Sequence, residues 1–354
     1  MSGPLPYHPA ADYDHAERLA RGGEARAALR TARLALEAAR AAGDADMVRR
    51  GLNAIAVCQN AAGRFIEAIA AATDAYSLSI AAHDVREATN ALATLVGMSG
   101  FLYPLAEGGL PILDECLDNA LKIGDHAIEA RVRMFRAMRL GGLGRFAESE
   151  AEFAILMRMA SVHDVKMPSS MLAINWLALA IRAAIARNDI NDECWNVALA
   201  RYAEALDHAR QEHNAMAEMR AEANLVDIEF RRGNPEAAIA ALHRCLSLGA
   251  RFQQHHVLAD LHFMLAQHLD ERSEHENAGA AYLDAYNCAE QSLPNPRAAD
   301  AAGQLARLAQ AFGDEPAIAL WQERELNHRA AFERERENAK RDLQVFFNGR
   351  LRLG

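Results

Sequence analysis

The sequence predicts an all-α fold, an α-solenoid of about eight antiparallel helix pairs that ends in one long helix. The first observation is a motif around a turn glycine, in which Ile55 and Ala56 precede Gly63 and Ala68 and Ala75 follow it. Helices approach closely only where side chains are small, and Gly ends a helix without steric cost. The second observation is that the motif recurs around positions 23, 63, 144, 233, 273 and 313, which are 40, 81, 89, 40 and 40 residues apart. One or two steps of a forty-residue period are typical of helical solenoids.

Composition limits the possible classes of protein. Of the 354 residues, 51% are hydrophobic and only 6% aromatic; many of the apolar residues are alanine, a strong helix former. The net charge of −10 disfavours nucleic acid as a partner, because neutralising phosphates needs a basic face. The five cysteines form no CxxC pair and are expected to be buried reduced thiols. Neither these nor the histidines between positions 255 and 275 have metal-ligand spacing, so no metal and no cofactor is expected.

Hydropathy argues against membrane insertion. Residues 1–15 contain no apolar core of a signal peptide. The most apolar run, Met171–Ala186, contains Asn175 and Arg182 and is too short for a bilayer span. We therefore predict a soluble, cytoplasmic protein.

The elements follow in order along the chain. Residues 1–10 carry three prolines and are expected to be flexible, residues 11–315 to form the repeat array, and residues 316–354 to form the long helix and tail. The first helix of the array is short and polar, as expected of a solvent-facing cap. The second pair is predicted as helices Asp46–Ala62 and Phe65–Ala82, and the fifth pair ends in a long helix over Asp192–Gln211.

Three features depart from the repeat. In the third pair, the apolar, proline-containing stretch Phe101–Glu107 predicts an inserted loop before the helix Leu110–Ile123, and we expect this loop to pack on the array. The fourth pair has Arg136 where the motif has a leucine, and the eighth has Glu325 where it has a small residue. The register of those two pairs is therefore weakly specified.

The motif resembles the tetratricopeptide repeat. It is carried by the pairs Leu265-Ala266 and Leu305-Ala306 before the turn, the turn glycine, the aromatic two residues later and the alanine five residues later. The resemblance covers nearly the whole chain, with a period longer than the family's usual ~34 residues. It implies a right-handed solenoid whose first helices line a concave face that binds a protein or peptide.

Asparagine recurs on the first helices although it is a poor residue for helix interiors. A row of side-chain amides can hold the backbone of a ligand, and interspersed arginines can bind carboxylates or phosphates. The alternative is that these residues are solvated or bonded to neighbouring helices. The candidate partner-binding residues, with Thr94 beside them, are Arg50, Asn53, Asn60, Asn90, Arg131, Asn175, Arg182, Arg220 and Asn224.

The C-terminal stretch predicts a helix from Pro316 to about Phe347. Phe332, Ala339 and Phe346 lie seven residues apart, so the helix either caps the array or forms a coiled coil that makes a homodimer. Its charged run also resembles the linker that follows tetratricopeptide-type sensor regions in some bacterial diguanylate cyclases. That resemblance implies a sensory input region without its output domain, and no cyclase activity is carried over.

The sequence contains no constellation typical of catalysis. Its glycines lie at helix turns, so no phosphate-binding loop is predicted, and no strand-turn-helix context exists for a nucleophilic serine. We therefore predict that the chain is not an enzyme. The favoured role is a bacterial-type scaffold or adaptor that binds a protein or peptide, and the alternative is the input region of a signalling protein or transcriptional regulator.

Overall fold

The computed structural model describes residues 8–102, 109–162, 169–186, 192–252, 255–292 and 295–349, and within these ranges all regular structure is helical. The apolar loop predicted at Phe101–Glu107 lies mostly outside these ranges, as do residues 1–7 of the predicted flexible N-terminus. The helices are α1 Pro9–Arg21, α2 Ala25–Ala41, α3 Ala45–Ala61, α4 Phe65–Ala81, α5 Val85–Leu102, α6 Gly109–Ile123, α7 His126–Gly142, α8 Phe146–Val162, α9 Ser169–Ala186, α10 Asp192–Gln211, α11 Ala215–Arg231, α12 Pro235–Phe252, α13 His255–Glu271, α14 His275–Glu290, α15 Pro296–Phe312 and α16 Glu315–Gly349.

Many of the turns between helices contain a residue in the left-handed backbone conformation. All six predicted turn positions have positive φ, including Gly63 at 74° and the non-glycine Ser273 at 62°. Further residues with positive φ occur at Gly43, His83, Gly124 and His213, which are turns between consecutive pairs. Positions 23, 43, 63 and 83 are twenty residues apart, so each helix with its turn forms one regular step.

The small residues of the motif lie where helices touch. Ala56, Ala68 and Ala75 are almost completely buried, on α3 and α4 of one pair. Larger side chains fill the remaining space, as Tyr13 does on α1. An ideal Cβ placed on Gly51 would lie 2.6 Å from Cζ of Tyr13, so a residue without a side chain is required there. This alternation of alanine contacts and a few large side chains agrees with the predicted close helix packing.

The two departures from the motif have local explanations. Arg136 donates from Nε to Asp114 at 2.8 Å and also pairs with Glu152, so two carboxylates satisfy the charge that replaces a leucine. Glu325 lies opposite Gly303, where an added Cβ would be 3.0 Å from the carboxylate carbon. The small residue in that contact is on α15 instead of α16.

The cysteines and histidines take no metal-like arrangement in the described part of the chain, where no cluster of three His, Cys, Asp or Glu side chains occurs. Cys58, Cys116 and Cys245 are buried, whereas Cys288 is half-buried, so the expectation of burial is wrong for Cys288. Burial raises the pKa of the Cys58 thiol to about 12.

Helix α9 is longer than the apolar run that the sequence suggested. At 18 residues with a mean hydropathy of 1.5, it is the one described helix long and apolar enough to cross a membrane, so the expectation that this stretch is too short is wrong. Its buried side chains include Leu172, which packs in a core cluster with Phe153 and Leu156. Packing of this kind is also found in core helices of soluble proteins.

The chain divides into two compact units. The first comprises residues 1–233 and 346–354, and the second comprises residues 234–345. The second unit has its own core, in which Phe263 and Tyr282 meet edge-on at 5.3 Å and Tyr286 packs against Trp321.

Helix α16 is 35 residues long, close to the predicted extent. Of its predicted seam, Phe332 is half-buried and Ala339 is buried, as is Leu343 four residues later. Phe346 belongs to the first unit and meets Tyr76 edge-on at 5.2 Å. Capping of the array and homodimerisation through this seam stay alternative predictions.

Candidate functional site: a cavity lined by first helices

The first unit contains a cavity of about 920 Å³. Its described lining comes from α1, α3, α5, α7, α9 and α11, which are the first helices of six successive pairs, and from none of the second helices. Side chains that repeat along the sequence therefore converge on one space. Its volume lies at the upper end of the range found for ligand pockets.

Six of the nine candidate residues line this cavity. They and the neighbouring Thr94 are found together there, the six being Arg50, Asn53, Asn60, Asn90, Arg131 and Arg220. A role in partner binding stays a prediction for all nine.

The other three candidates are outside the lining. Asn175 is close to it, since its Nδ2 lies 3.7 Å from Sδ of the lining residue Met134. Asn224 donates from Nδ2 to the backbone oxygen of Arg220, one turn earlier on the same helix, at 3.0 Å. This amide is therefore bonded within α11. Arg182 is exposed.

Three polar side chains at the cavity have buried oxygens for which the described residues provide no partner. Asn53 is 2% exposed and Thr94 is fully buried, yet Oδ1 of Asn53, Oγ1 of Thr94 and Oδ1 of Asn60 form no hydrogen bond with any described residue. Leaving a buried polar atom unpaired costs roughly 1–3 kcal/mol. Unpaired acceptors in a cavity wall are therefore groups that a ligand's N–H donors can satisfy.

Ion pairs and one hydrogen bond hold several of the other lining residues in place. Arg50 donates to Asp14 at 2.6 Å, and Arg131 donates to Oδ1 of Asn90 at 2.6 Å. Arg131 also lies 3.5 Å from Glu17. These contacts link α1 to α3 and α7, and α5 to α7, so that the polar wall is held in one arrangement.

The cavity has more positive than negative charge although the whole chain is acidic. Its lining includes six arginines and three carboxylates. Arg18 and Arg220 form no ion pair with any residue that the structure describes. Burial lowers the pKa of the Arg220 guanidinium, which stays protonated at neutral pH as arginines in proteins do.

Methionines supply much of the apolar lining. Met98, Met134, Met171 and Met216 come from four different helices and all face the cavity. Methionine side chains are flexible and polarisable, and they adapt to ligands of different shape. The cavity therefore combines hydrogen-bond acceptors, guanidinium groups and adaptable apolar surface.

Sequence analysis missed the contribution of α1, which it treated as a cap. Tyr13 and Ala16 bury one face of this helix, whereas Asp14, Glu17 and Arg21 on another face line the cavity. The signal was present in the sequence, since charges at positions 14, 17, 18 and 21 follow the spacing of one helix face.

The second unit has a smaller depression of about 490 Å³. Its charged groups already pair with one another: Arg297 contacts Asp300 at 3.2 Å, and Arg329 contacts Glu325 at 2.8 Å. It therefore offers fewer free polar groups to a ligand than the cavity of the first unit.

No protein-family model matches the sequence, and no curated protein matches it either. Among solved structures, the chain is similar to a Rap protein complexed with Competence and Sporulation Factor, with a TM-score of 0.55, 14% identity, and coverage of 92% of this chain and 99% of the other. It is also similar to the Rap conjugation gene regulator of the plasmid pLS20 in complex with the Phr* peptide, with a TM-score of 0.57, 14% identity, and coverage of 84% and 77%. The predicted fold, a tetratricopeptide-like helical repeat, is confirmed.

Proposed function

We propose that the chain is a bacterial-type cytoplasmic adaptor or scaffold that binds a short stretch of peptide in the cavity of its first unit. Its role is binding rather than catalysis. The proposal is supported by the printed descriptions of two structures with this fold, each of which holds a peptide or factor. The main support comes from this chain's own residues, because a fold alone does not specify a function.

The observation that carries the proposal is the set of unpaired acceptors formed by Asn53, Asn60 and Thr94. An extended peptide has a backbone N–H at nearly every residue, and these donors match acceptors spread over α3 and α5. Met98 and Met134 provide the apolar surface on which peptide side chains pack. Recognition through the backbone together with methionine side chains tolerates variation in the ligand sequence.

The test is retention of short randomised peptides by the full chain, measured by rapid gel filtration and mass spectrometry of the protein fraction. We expect the unaltered chain to retain peptides and the double variant Asn53→Ala with Asn60→Ala to retain about tenfold less, because each lost hydrogen bond weakens binding by roughly 0.5–1.5 kcal/mol. The matched control is Asn277→Ala, which removes an exposed asparagine outside the cavity lining. Equal loss in both variants, or no retention by the unaltered chain, would refute the proposal.

The sensory input role is a second candidate, and one contact favours it. Phe346, near the end of the long C-terminal helix, packs against Tyr76 on α4 within the unit that contains the cavity. A conformational change in that unit on ligand binding would therefore be transmitted to the C-terminal end of α16. In a sensor, an output domain would follow this end of the helix. Hydrogen exchange of residues 340–349 with and without the retained peptides tests this role, and unchanged exchange there would contradict it.

A further inference from the structure

We infer that the peptide taken by this cavity carries at least one carboxylate, which binds Arg220 or Arg18. The inference rests on the peptide-binding role proposed above and adds the chemical class of the ligand. It starts from the charge of the lining, with six arginines and three carboxylates, in a chain whose net charge is −10.

The three carboxylates are already engaged by other arginines. Asp14 pairs with Arg50 at 2.6 Å, and Glu87 pairs with Arg86 at 2.6 Å. Glu17 lies 3.4 Å from Arg21 and 3.5 Å from Arg131. No lining carboxylate therefore remains for the last two guanidinium groups.

Those two groups are Arg18 on α1 and Arg220 on α11. Arg18 is exposed and Arg220 is half-buried, and both line the cavity. The described residues place no carboxylate within ion-pair distance of either one. A partly desolvated guanidinium binds a carboxylate through two parallel hydrogen bonds, and such charge-assisted bonds are about twice as strong as neutral ones.

The surroundings favour a carboxylate on a peptide over a free small anion. Met216 lies one turn before Arg220 on α11, and Met171 lines the same cavity from α9. The same lining also offers apolar surface and the unpaired acceptors of Asn53 and Thr94. A peptide can match all three kinds of lining group: its backbone N–H groups match the unpaired acceptors, its apolar side chains match the methionines, and its carboxylate matches the guanidinium groups.

The carboxylate can belong to an acidic side chain or to the C-terminus of the peptide, and two peptide pools distinguish these sources. The full chain is incubated with two equimolar pools of randomised short peptides, one with free C-terminal carboxylates and one with amidated C-termini, and retained peptides are identified by mass spectrometry. Enrichment of Asp and Glu in both pools identifies a side-chain carboxylate. Retention of the free-terminus pool alone identifies the terminal carboxylate.

The variants test the two arginines directly. Arg220→Gln combined with Arg18→Gln is expected to lower the acid-dependent enrichment by about tenfold, the effect of losing a charge-assisted hydrogen bond, while Arg220→Lys keeps part of it. The control is Arg26→Gln, which removes an exposed arginine outside the lining and is expected to change nothing. Thermal melts check that each variant is folded.

Two results separate this inference from the proposed function. Retention of peptides with no preference for acids, or with a preference for Lys and Arg, overturns the inference and leaves peptide binding intact. Retention of no peptide from either pool overturns both.

Discussion

At the scale of single residues, folding and binding make opposite demands on Thr94. This residue is fully buried and its Oγ1 has no partner in the described part of the chain, so its hydroxyl is expected to destabilise the fold when no ligand is bound. We predict that Thr94→Val raises the free energy of unfolding by about 1 kcal/mol, since it removes an unpaired polar atom without changing the volume greatly. The same change is expected to weaken peptide retention, because it removes an acceptor. Thermal unfolding and the retention assay measure the two effects.

Thr89 on the same helix is the matched control for that prediction. It is equally buried, but its Oγ1 donates to the backbone oxygen of Val85 at 2.7 Å. Thr89→Val removes a satisfied hydrogen bond and is expected to give no stabilisation. If both variants shift the melting temperature in the same direction, Thr94 is an ordinary core residue.

Gly97 is a residue at which packing controls the shape of the cavity. A Cβ at this position would overlap the ring of Phe135, which lines the cavity. We predict that Gly97→Ala destabilises the chain by about 1–3 kcal/mol, the usual cost of overpacking, and alters peptide retention by moving Phe135. Gly142→Ala is the control, because no atom lies within 4 Å of its added Cβ. Melting temperatures that agree between the two variants would show that the ring moves aside freely.

At the scale of elements, Asp125 holds the start of α7. Its Oδ1 accepts hydrogen bonds from the N–H groups of Ala127 and Ile128, each at 3.0 Å, and its Oδ2 pairs with Arg86. Burial acts to raise the pKa of this carboxyl, but these hydrogen bonds and the charge of Arg86 hold it below its ordinary value.

We predict that Asp125→Ala lowers the free energy of unfolding at neutral pH by about 1 kcal/mol, the usual value of an N-cap. A carboxyl whose folded-state pKa is depressed stabilises the fold above its unfolded-state pKa, and that contribution is lost as pH falls through the folded-state pKa. The difference between the unaltered chain and the variant should therefore shrink on acidification. Melting curves recorded from neutral pH downwards check this, and a difference that grows in acid would contradict the prediction.

The turns give a second prediction for the elements. Ser273 is left-handed with φ 62°, a conformation that costs a residue with a side chain roughly 1–2 kcal/mol. Part of this is offset by the greater freedom of glycine in the unfolded chain, so Ser273→Gly is expected to raise the melting temperature slightly. The opposite kind of change, Gly144→Ala, should lower the melting temperature, because it places a side chain on a residue with a φ of 77°. No atom lies within 4 Å of the new Cβ, so the change measures backbone strain and not a steric clash. Shifts of the same sign in both variants would contradict the claim that left-handed backbone strain at these turns affects stability.

At the scale of the whole molecule, the adaptor and sensor roles differ in oligomeric state. Ala339 and Leu343 are buried in the single chain, which leaves little of the seam on α16 for a second copy. We therefore expect the full chain to be a monomer by light scattering over a wide range of concentration. A dimer that dissociates on Phe332→Glu would instead favour the sensor role and the predicted coiled coil.

The fold was largely predictable because its determinants are local. Turn residues such as Gly63 and contact residues such as Ala68 recur at a fixed distance, and each constrains only its own pair and the next one. The division into two units was not predictable, since it falls between Gly233 and Asn234, inside one predicted pair. No local signal distinguishes a turn at a unit boundary from any other.

The candidate site was predictable only in part. Asn53 and Asn90 follow the repeat and line the cavity, whereas Asn175 follows the same pattern and lies just outside the lining. Which repeated residues converge depends on the curvature of the array, which accumulates over many helix contacts. The pairing of Asp14 with Arg50 depends on the packing of α1 against α3, and it leaves other arginines available to a ligand.

The most direct test of the central proposal is the location of a bound peptide. The full chain would be irradiated with a randomised peptide pool that carries photoreactive leucine, and the crosslinked residues would be identified by mass spectrometry. We predict crosslinks on the first helices of the first unit, at cavity residues such as Met98, Met134 and Met171. Crosslinks confined to the second helices or to α13–α16 would contradict it.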